Sequence, residues 1–477
     1  MEKRGQAKPD VVDLASTQSF PASDPPPWTL GVKRRFRRER DTMGEVAIPR
    51  GALYGPETQH AVENFAVGAQ RLQQPFIQAL GLIKACAAEA NGELGVVAPA
   101  KSNAIADAAG RIAAGEHYDE FVVGVFQTGS GTSTHMNANE VIGRLAGADP
   151  HDDVNRSQSS NDVIPTAIHL AAVLETRNRL LPAMDVLRAS LEGRSTAFWD
   201  VVKIGRTHLQ DATPIRLGQQ FSGYAHQVRV SAERILTGLE GLYELPLGGT
   251  AVGTGVNAPA GFAASTIDRL ARRTGLPLRE ARNHFEAQAA RDAVLFFSGA
   301  LRSYAVALTK IANDIRWLGS GPRGGIGELR LPALQPGSSI MAGKVNPVIP
   351  ESVLMVCAQV CGYDATIAWG CAAGNFELNT MMPLIAYDIL DAIELLSGAT
   401  RNFATRCVDG LVADRDKAGA LVERSLAMAT SLAAEIGYER AAHIVREAFE
   451  TGRTVREVAL ERSGLDEARI ARLLTFE

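Results

Sequence analysis

Four short patches of glycine and small polar residues interrupt a chain whose other segments are largely apolar, and these patches hold most of the side chains that could do chemistry. Their hydroxyls, amides and exposed backbone N–H groups are the donors that bind a small anion such as a carboxylate. The patches span Gln127–Glu140, Asn155–Asp162, Gly205–Asp211 and Gly337–Pro347. Their composition predicts a carboxylate-binding site.

The fourth patch combines a cation, Lys344, with the amide of Asn346 and the hydroxyls of Ser338 and Ser339. A carbanion next to a carboxylate spreads its charge onto the carboxylate oxygens, and this donor set suits the stabilisation of that charge. His208, in the third patch, is the natural general acid–base. Each feature alone also occurs in turns, helix caps and protein cores. The residues therefore indicate a helical enzyme with a carboxylate-binding, acid–base site, and no particular reaction.

Long Ala- and Leu-rich segments, separated by Gly and Pro, must position these patches. Beyond Ala61 their pattern is helical, and alternating runs typical of strands are few. Long helices are predicted over residues 163–200, 290–318 and 350–372. The first is expected to have Asn161 and Asp162 as caps and Pro165 in its first turn.

The segment Val353–Val360 is apolar nearly all round. A helix of this kind must be buried on every side. The segment therefore predicts a multi-helix bundle that other subunits complete.

The composition bounds the class of protein. Of 477 residues, 46% are hydrophobic and 21% charged, and 49 basic against 53 acidic residues give a net charge of 49 − 53 = −4. A nucleic-acid-binding surface needs a basic excess, so this near-balance gives it no support. No uninterrupted apolar stretch approaches the roughly 18 to 20 residues of a membrane-spanning helix. The sequence predicts a globular protein that binds neither nucleic acid nor membrane.

Five cysteines in a chain of this length do not form a disulfide framework. Cys357 and Cys361 are spaced for one face of a helix, where they would either clip a metal ion or pack as buried thiols. No His or further Cys stands at ligand spacing, which favours buried thiols. With no apolar leader at the N-terminus, a reducing cytoplasm is the expected compartment.

Four regions are predicted along the chain. A proline-rich tail at residues 1–30 leads into a basic run, which is expected to be a solvated junction rather than a polyanion patch. A mostly helical domain at 31–166 and a long-helix bundle at 167–396 follow. A small helical domain at 397–477 is expected to have breaks near Gly437, Gly452 and Gly464.

The four patches, in this order, resemble the characteristic blocks of the fumarase/aspartase superfamily, and within it the class II fumarase family. The resemblance runs from about Arg38 to Gly464, and Gly337–Pro347 is similar to the superfamily signature. It implies a mainly α, three-domain fold whose long central helices form a homotetrameric core. It also implies active sites shared among three subunits, a small dicarboxylate substrate, no cofactor and no metal.

The resemblance further implies a hydro-lyase that reversibly adds water to fumarate in the anti sense, giving (S)-malate through an enediolate-like intermediate. By motif position, Ser338 would take the C3 proton, and His208, oriented by Glu351, would handle the proton of the departing water. Lys344 and Asn346 would hold the carboxylate that gains charge. The remaining substrate-binding residues would be Ser130, Thr132, Ser159, Ser160, Asn161, Thr207 and Ser339.

Three departures from the family pattern stand out. Ala342 replaces a proline of the signature loop, and His135 stands where Asn is usual. A block that is normally His-Pro-Asn-Asp, and contributes a secondary dicarboxylate site, reads Asp149-Pro-His-Asp152. Asp149, His151 and Asp152 are therefore expected to form a degenerate version of that site.

Two alternatives stay open. One is an aspartate ammonia-lyase or a related lyase acting on another fumarate-derived dicarboxylate. Aspartases typically have Gln in place of His208 and Ser-Thr in place of Ser159-Ser160, which favours the hydratase. The other is a tetrameric scaffold without activity, and the presence of Ser338 and Lys344 argues against it.

Overall fold

The structure is a computed structural model that describes residues 36–474. The predicted tail at 1–30 lies outside the described residues. The α-helices of the described part are α1 (Pro56–Asn64), α2 (Gln74–Glu93), α3 (Pro99–Ala113), α4 (Thr132–Ala146), α5 (Ser160–Glu175), α6 (Leu181–Ala197), α7 (Leu217–Leu239), α8 (Phe262–Thr274), α9 (His284–Ala289), α10 (Asp292–Leu318), α11 (Val348–Cys371), α12 (Met382–Arg406), α13 (Arg415–Arg424), α14 (Ala429–Ile436), α15 (Tyr438–Thr451), α16 (Val455–Arg462) and α17 (Glu467–Leu473).

Short two-stranded sheets connect these helices. The strands are β1 (Phe36–Asp41), β2 (Gly44–Pro49), β3 (Val202–Thr207), β4 (Gln210–Arg216), β5 (Glu244–Leu245), β6 (Arg279–Glu280), β7 (Leu329–Arg330), β8 (Gly374–Asn375), β9 (Leu378–Asn379) and β10 (Val412–Ala413). The pairs β1–β2, β3–β4, β7–β10 and β8–β9 are antiparallel, and β5–β6 is parallel.

The longest helices pack along one another as a bundle. Helix α10 packs against α7 and α11, and α12 packs against α11 and α6. A continuous apolar core runs through these helices and through α2, α4 and α5. The predicted mainly α fold with a long central bundle is confirmed.

Helices α10 and α11 are long and apolar enough to cross a membrane by length and composition alone. Core helices of bundle proteins have the same properties. Here the two helices share a polar link, because the buried Asp364 of α11 accepts hydrogen bonds from the buried Ser298 and the exposed Arg302 of α10, each over 2.7 Å. Such a link suits helices that pack on each other.

Within one chain, α11 buries only one face. Val353, Cys357 and Val360 are about 1% exposed, whereas Met355 is 69% and Trp369 78% exposed. The single chain therefore leaves the other face of α11 uncovered, and the burial of this helix on every side by further subunits stays a prediction. Large apolar side chains on an exposed helix face mark a surface that another protein surface can cover.

The structure corrects the predicted start of the helix at 163–200. Helix α5 begins at Ser160, with Ser159 as its N-cap, because the Ser159 Oγ accepts the N–H of Asn161 over 3.2 Å. Asn161 and Asp162 lie in the first turn, and Pro165 lies in the second. A π-helical turn at Thr176–Leu180 separates α5 from α6. The helices predicted at 290–318 and 350–372 are confirmed as α10 and α11.

The C-terminal helices have a small apolar core of their own, which spans Met428 to Leu474. Gly437, Gly452 and Gly464 separate consecutive helices there, all with positive φ, as the sequence predicts. Helix α12 continues through residue 397, and the four-region division stays a prediction.

Candidate active site

Two helix N-termini meet at a cavity of about 800 Å³. Helix α4 begins there with Thr132, and α5 begins there with Ser160. The positive ends of the helix dipoles and the free N–H groups of first turns favour an anion at such a place. The cavity is lined by Glu57, Thr132, Met136, His151, Asp152, Asn155, Arg156, Ser157, Gln158, Ser159, Ser160, Asn161, Thr250, Ala251, Val256 and Asn257.

Hydroxyl groups cluster where α4 begins. The Oγ of Ser130 and the Oγ1 of Thr132 are 2.7 Å apart. Gly131, between them, has φ 73° and serves as the N-cap, a conformation that glycine adopts without strain. The predicted binding residues Ser130 and Thr132 thus form one hydrogen-bonded pair at the helix start.

Asp162 fixes the opposite wall of the cavity. Its buried carboxylate accepts N–H groups of Ser159 (2.9 Å), Gly248 (2.9 Å) and Thr250 (3.0 Å). Burial raises the pKa of Asp162, and these three donors oppose the rise. The side-chain amide of Asn161 also donates to the carbonyl of Ala251 over 2.8 Å. Segment 248–251 is therefore held against the start of α5.

Sequence reasoning missed the contribution of this segment. Thr250, Ala251 and Asn257 line the cavity, yet they lie outside the four patches. The stretch from Gly248 to Gly255 is as rich in Gly and Thr as the patches are, and that composition is the signal that could have found it.

A buried polar layer lies behind the cavity. The Nδ1 of His135 is 2.8 Å from the Oγ of Ser160, and the Nζ of Lys84 donates to the Oδ1 of Asn155 over 3.3 Å. Burial, reinforced by the charge of Lys84, holds the pKa of His135 well below its usual range, so its ring is neutral near pH 7. Burial also lowers the pKa of Lys84 to about 7, against the attraction of Asp162.

The second group of predicted residues lies at the tip of the β3–β4 hairpin. His208 and Leu209 form a two-residue turn with φ of 57° and 62°, a type I′ geometry usually occupied by Asn-Gly. Thr207, His208 and Leu209 are exposed. Two non-glycine residues held at positive φ carry backbone strain of the kind that clusters at functional sites.

Buried charges anchor the base of this hairpin. Glu328 is fully buried, and Arg206 donates to both of its carboxylate oxygens over 2.9 Å. The Nζ of Lys203 lies 3.4 Å from the same carboxylate. The exposed tip therefore stands on a fixed support.

The third group lies in the loop before α11. The Oγ of Ser338 accepts the N–H of Met341 over 2.9 Å and that of Ile340 over 3.3 Å. The loop is closed by the N–H of Gly337, which donates to the carbonyl of Lys344 over 2.9 Å, and by the Asn346 amide, which donates to the Gly337 carbonyl. Two backbone donors on the Ser338 oxygen are the arrangement that stabilises an oxyanion there.

Within one chain these three groups stay apart. In residues 36–474 no hydrogen bond or ion pair joins the hairpin tip or the Ser338 loop to the cavity. Ser339, Lys344 and Glu351 are exposed, and Glu351 lies in the first turn of α11. The chain therefore brings together Ser130, Thr132, Ser159, Ser160 and Asn161, and it does not bring His208 to Glu351.

Of the three residues expected to form a degenerate secondary site, His151 and Asp152 line the cavity and Asp149 does not. Asp149 caps the π-helical turn Pro150–Val154 and accepts the N–H groups of His151 and Asp152, each over 2.8 Å. The Nε2 of His151 is 2.7 Å from the Oε1 of Glu57. His151 thus already has an acidic partner.

The cysteines lie away from the cavity lining. Cys357 is buried in α11, and burial raises the pKa of its thiol to about 11. Cys361 is half-buried on the same helix. Over residues 36–474, no group of three or more His, Cys, Asp or Glu side chains is arranged to hold a metal ion.

Gly129 offers a test of how the first patch is held. Its carbonyl accepts the N–H of Met382 over 3.0 Å, and a Cβ at this position would lie 1.8 Å from the carbonyl oxygen of Thr380. We expect Gly129→Ala to lower the free energy of unfolding by about 2 kcal/mol or more, because the backbone must move to relieve the clash. Urea unfolding followed by circular dichroism measures the change.

The matched control is Gly110→Ala, in the interior of α3, where a Cβ meets nothing within 4 Å. This variant should gain roughly 0.5–1 kcal/mol. Equal stability of the Gly129 variant and the wild type would contradict the packing described for this patch.

Comparisons with known proteins place the chain in a family. Residues 44–362 match the family described as "Lyase", and residues 428–477 match "Fumarase C C-terminus". The chain is 51% identical over 433 residues to a class II fumarate hydratase of Mycobacterium tuberculosis, covering 90% of this chain and 91% of the relative. It is 48% identical over 437 residues to that of Thermosynechococcus vestitus, covering 89% and 94%.

Solved structures agree. A class II fumarase from Schistosoma mansoni superposes with a TM-score of 0.88 at 37% identity, covering 92% of this chain and 98% of that one. A fumarate lyase:delta crystallin from Brucella melitensis in native form superposes with a TM-score of 0.84 at 44% identity, covering 89% and 100%. The chain therefore belongs to the class II fumarate hydratase family.

Proposed function

We propose that this chain is a fumarate hydratase, which reversibly adds water to fumarate in the anti sense and gives (S)-malate. The observation that carries the proposal is the meeting of two helix N-termini, with Thr132 and Ser159–Asn161, at one cavity in a chain about half identical to class II fumarate hydratases. A dicarboxylate with no other charged group fits such a set of neutral donors and helix ends.

In the dehydration direction, the Ser338 oxygen takes the C3 proton of malate. A serine hydroxyl is too weak a base at neutral pH unless its anion is stabilised, and the N–H groups of Ile340 and Met341 point at this oxygen. The electron pair left on C3 spreads onto the adjacent carboxylate. Lys344 and Asn346 hold that carboxylate and stabilise the enediolate-like intermediate.

The C2 hydroxyl then leaves as water, and His208 supplies the proton that this requires, with Glu351 orienting the imidazole. The departing electron pair of the C2–O bond goes to the water oxygen, and the carbanion pair forms the double bond of fumarate. In hydration the same residues act in reverse.

The substrate is held by hydroxyls and amides from several segments. Thr132, Ser159, Ser160 and Asn161 line the cavity together, and their donors suit one carboxylate. Ser130, Thr207 and Ser339 complete the set. We propose that Asp149, His151 and Asp152 bind a second dicarboxylate only weakly. The two carboxylates repel an anion, and the His151 imidazole is already paired with Glu57.

A homotetramer with each site shared among three subunits accounts for the separation of the groups. Ser338 and His208 lie on exposed segments that do not meet within one chain, and Met355 and Trp369 leave an apolar face of α11 uncovered. Burying that face against other copies of the chain removes its apolar side chains from water, which is favourable, and it brings the Ser338 and His208 segments to the cavities of neighbouring copies.

The expected compartment is a reducing cytoplasm, which suits the free thiols of all five cysteines.

An absorbance assay on the purified protein tests the function. We expect fumarate to appear from (S)-malate and not from aspartate. Fumarate with ammonia from aspartate would assign the chain to the ammonia-lyases. No turnover of either substrate by the assembled protein would overturn the proposal. The remaining alternatives would be a lyase that acts on another dicarboxylate or a scaffold without activity.

A further inference from the structure

We propose that His135 is a positioning residue that sets the direction of the Ser160 hydroxyl, so that this hydroxyl donates its hydrogen to a substrate carboxylate. The inference rests on the proposed function, since it concerns how the same cavity binds a dicarboxylate. His135 is the fourth residue of α4 and Ser160 the first residue of α5. Their bond links the two helix starts that face the cavity.

The geometry confines this contact. His135 is fully buried and its backbone N–H donates to the carbonyl of Gly131 over 3.0 Å, which fixes the residue within the first turns of α4. Its Nδ1 lies 2.8 Å from the Ser160 Oγ. Ser160 lines the cavity and His135 does not, so the imidazole can influence a ligand only through the hydroxyl.

The protonation state follows from the surroundings. A neutral imidazole carries one N–H and one lone pair. Burial and the nearby Lys84 keep the ring neutral, and Asp162 is the buried charge that opposes Lys84. Across residues 36–474 the Nε2 of His135 has no hydrogen-bond partner, so the contact with Ser160 is the one polar bond of this ring.

An anion in the cavity selects one tautomer. If the Ser160 hydroxyl donates to a carboxylate, its oxygen has only lone pairs left to offer the imidazole. The Nδ1 must then carry the proton and donate to Ser160, and Nε2 becomes the bare acceptor. The chain of donors runs from His135 to Ser160 to the carboxylate, and each bond polarises the next.

Removing the imidazole should therefore weaken dicarboxylate binding without slowing the chemical step. We expect His135→Leu to raise the Kd for succinate, measured by calorimetry on the assembled protein, by about tenfold, the scale of a hydrogen bond to a charged group. KM for malate should rise by a similar factor, with kcat changed by less than about twofold. Succinate has no double bond to hydrate, so its binding is measured apart from turnover.

A double-mutant cycle separates positioning from packing. In a Ser160→Ala background, His135→Leu should change the Kd for succinate by less than about twofold, because the hydroxyl through which it acts is gone. His135→Asn, whose amide nitrogen is bonded to Cγ as Nδ1 is and keeps an N–H donor there, should stay within about threefold of wild type. His135→Ala, which introduces no clash, replaces His135→Leu in the cycle if that variant does not fold.

Three results would overturn the inference: no change of Kd in His135→Leu, an equal change with and without Ser160, or a loss in His135→Asn as large as in His135→Leu. If the variants change the Kd for succinate as expected but the wild-type protein does not convert malate, the proposed function alone would be refuted.

Discussion

Replacing Ser338 by alanine is expected to lower the rate of fumarate formation from (S)-malate by about 10³-fold, within the range typical of a lost general acid or base. We expect this because the N–H groups of Ile340 and Met341 donate to the Ser338 oxygen, where they would stabilise its deprotonated form. Alanine leaves these donors in place and removes the atom that we propose takes the C3 proton. Steady-state kinetics with malate measure the loss, and native mass spectrometry checks that assembly is unchanged.

Ser339→Ala is the matched control, because it removes the neighbouring hydroxyl from the same exposed loop. Since we propose a binding role for Ser339, its loss should affect KM more than kcat. If Ser338→Ala retained turnover within about tenfold of wild type, Ser338 would not be the base.

Replacing His208 by asparagine is expected to lower kcat by about 10²-fold or more, the usual scale for a lost general acid–base. Asparagine suits this position because it tolerates the positive φ of 57° that the turn requires, so the hairpin keeps its shape. The pH–rate profile of the variant should also lose the limb that reports the imidazole.

Leu209→Gly controls for the turn itself. It leaves His208 in place and puts at the second turn position the residue that type I′ geometry favours, so its turnover should stay close to wild type. A pH–rate profile of His208→Asn that matches the wild type would remove His208 from the proton transfer.

Much of the fold could be predicted from local pattern. The apolar periodicity and length of 290–318 and 350–372 correspond to α10 and α11 within two residues at each end. The breaks between the C-terminal helices could be predicted from glycine positions, because glycine adopts positive φ without strain. These features depend on residues that are close in sequence, so they can be predicted from the sequence of one chain.

The site could be predicted only in part, because its remaining features depend on contacts between distant segments. Helix α5 has Ser159 as its N-cap and Asp162 in its first turn, where the Asp162 carboxylate also accepts N–H groups of segment 248–250, about 90 residues away. The link between His135 and Ser160 arises only when α4 packs beside α5. The exposure of one face of α11 likewise depends on how distant helices pack in the chain.

Mixing two inactive variants tests the central claim most directly, namely that a hydratase site is assembled from Ser338 and His208 of different chains. Ser338→Ala and His208→Asn chains, carrying different tags, are co-expressed, and mixed assemblies are verified by native mass spectrometry and assayed with malate. Random assortment should restore about a quarter of the wild-type activity, because half of the sites receive an intact Ser338 and half of those an intact His208 from another chain. Mixed assemblies as inactive as either parent would contradict the account.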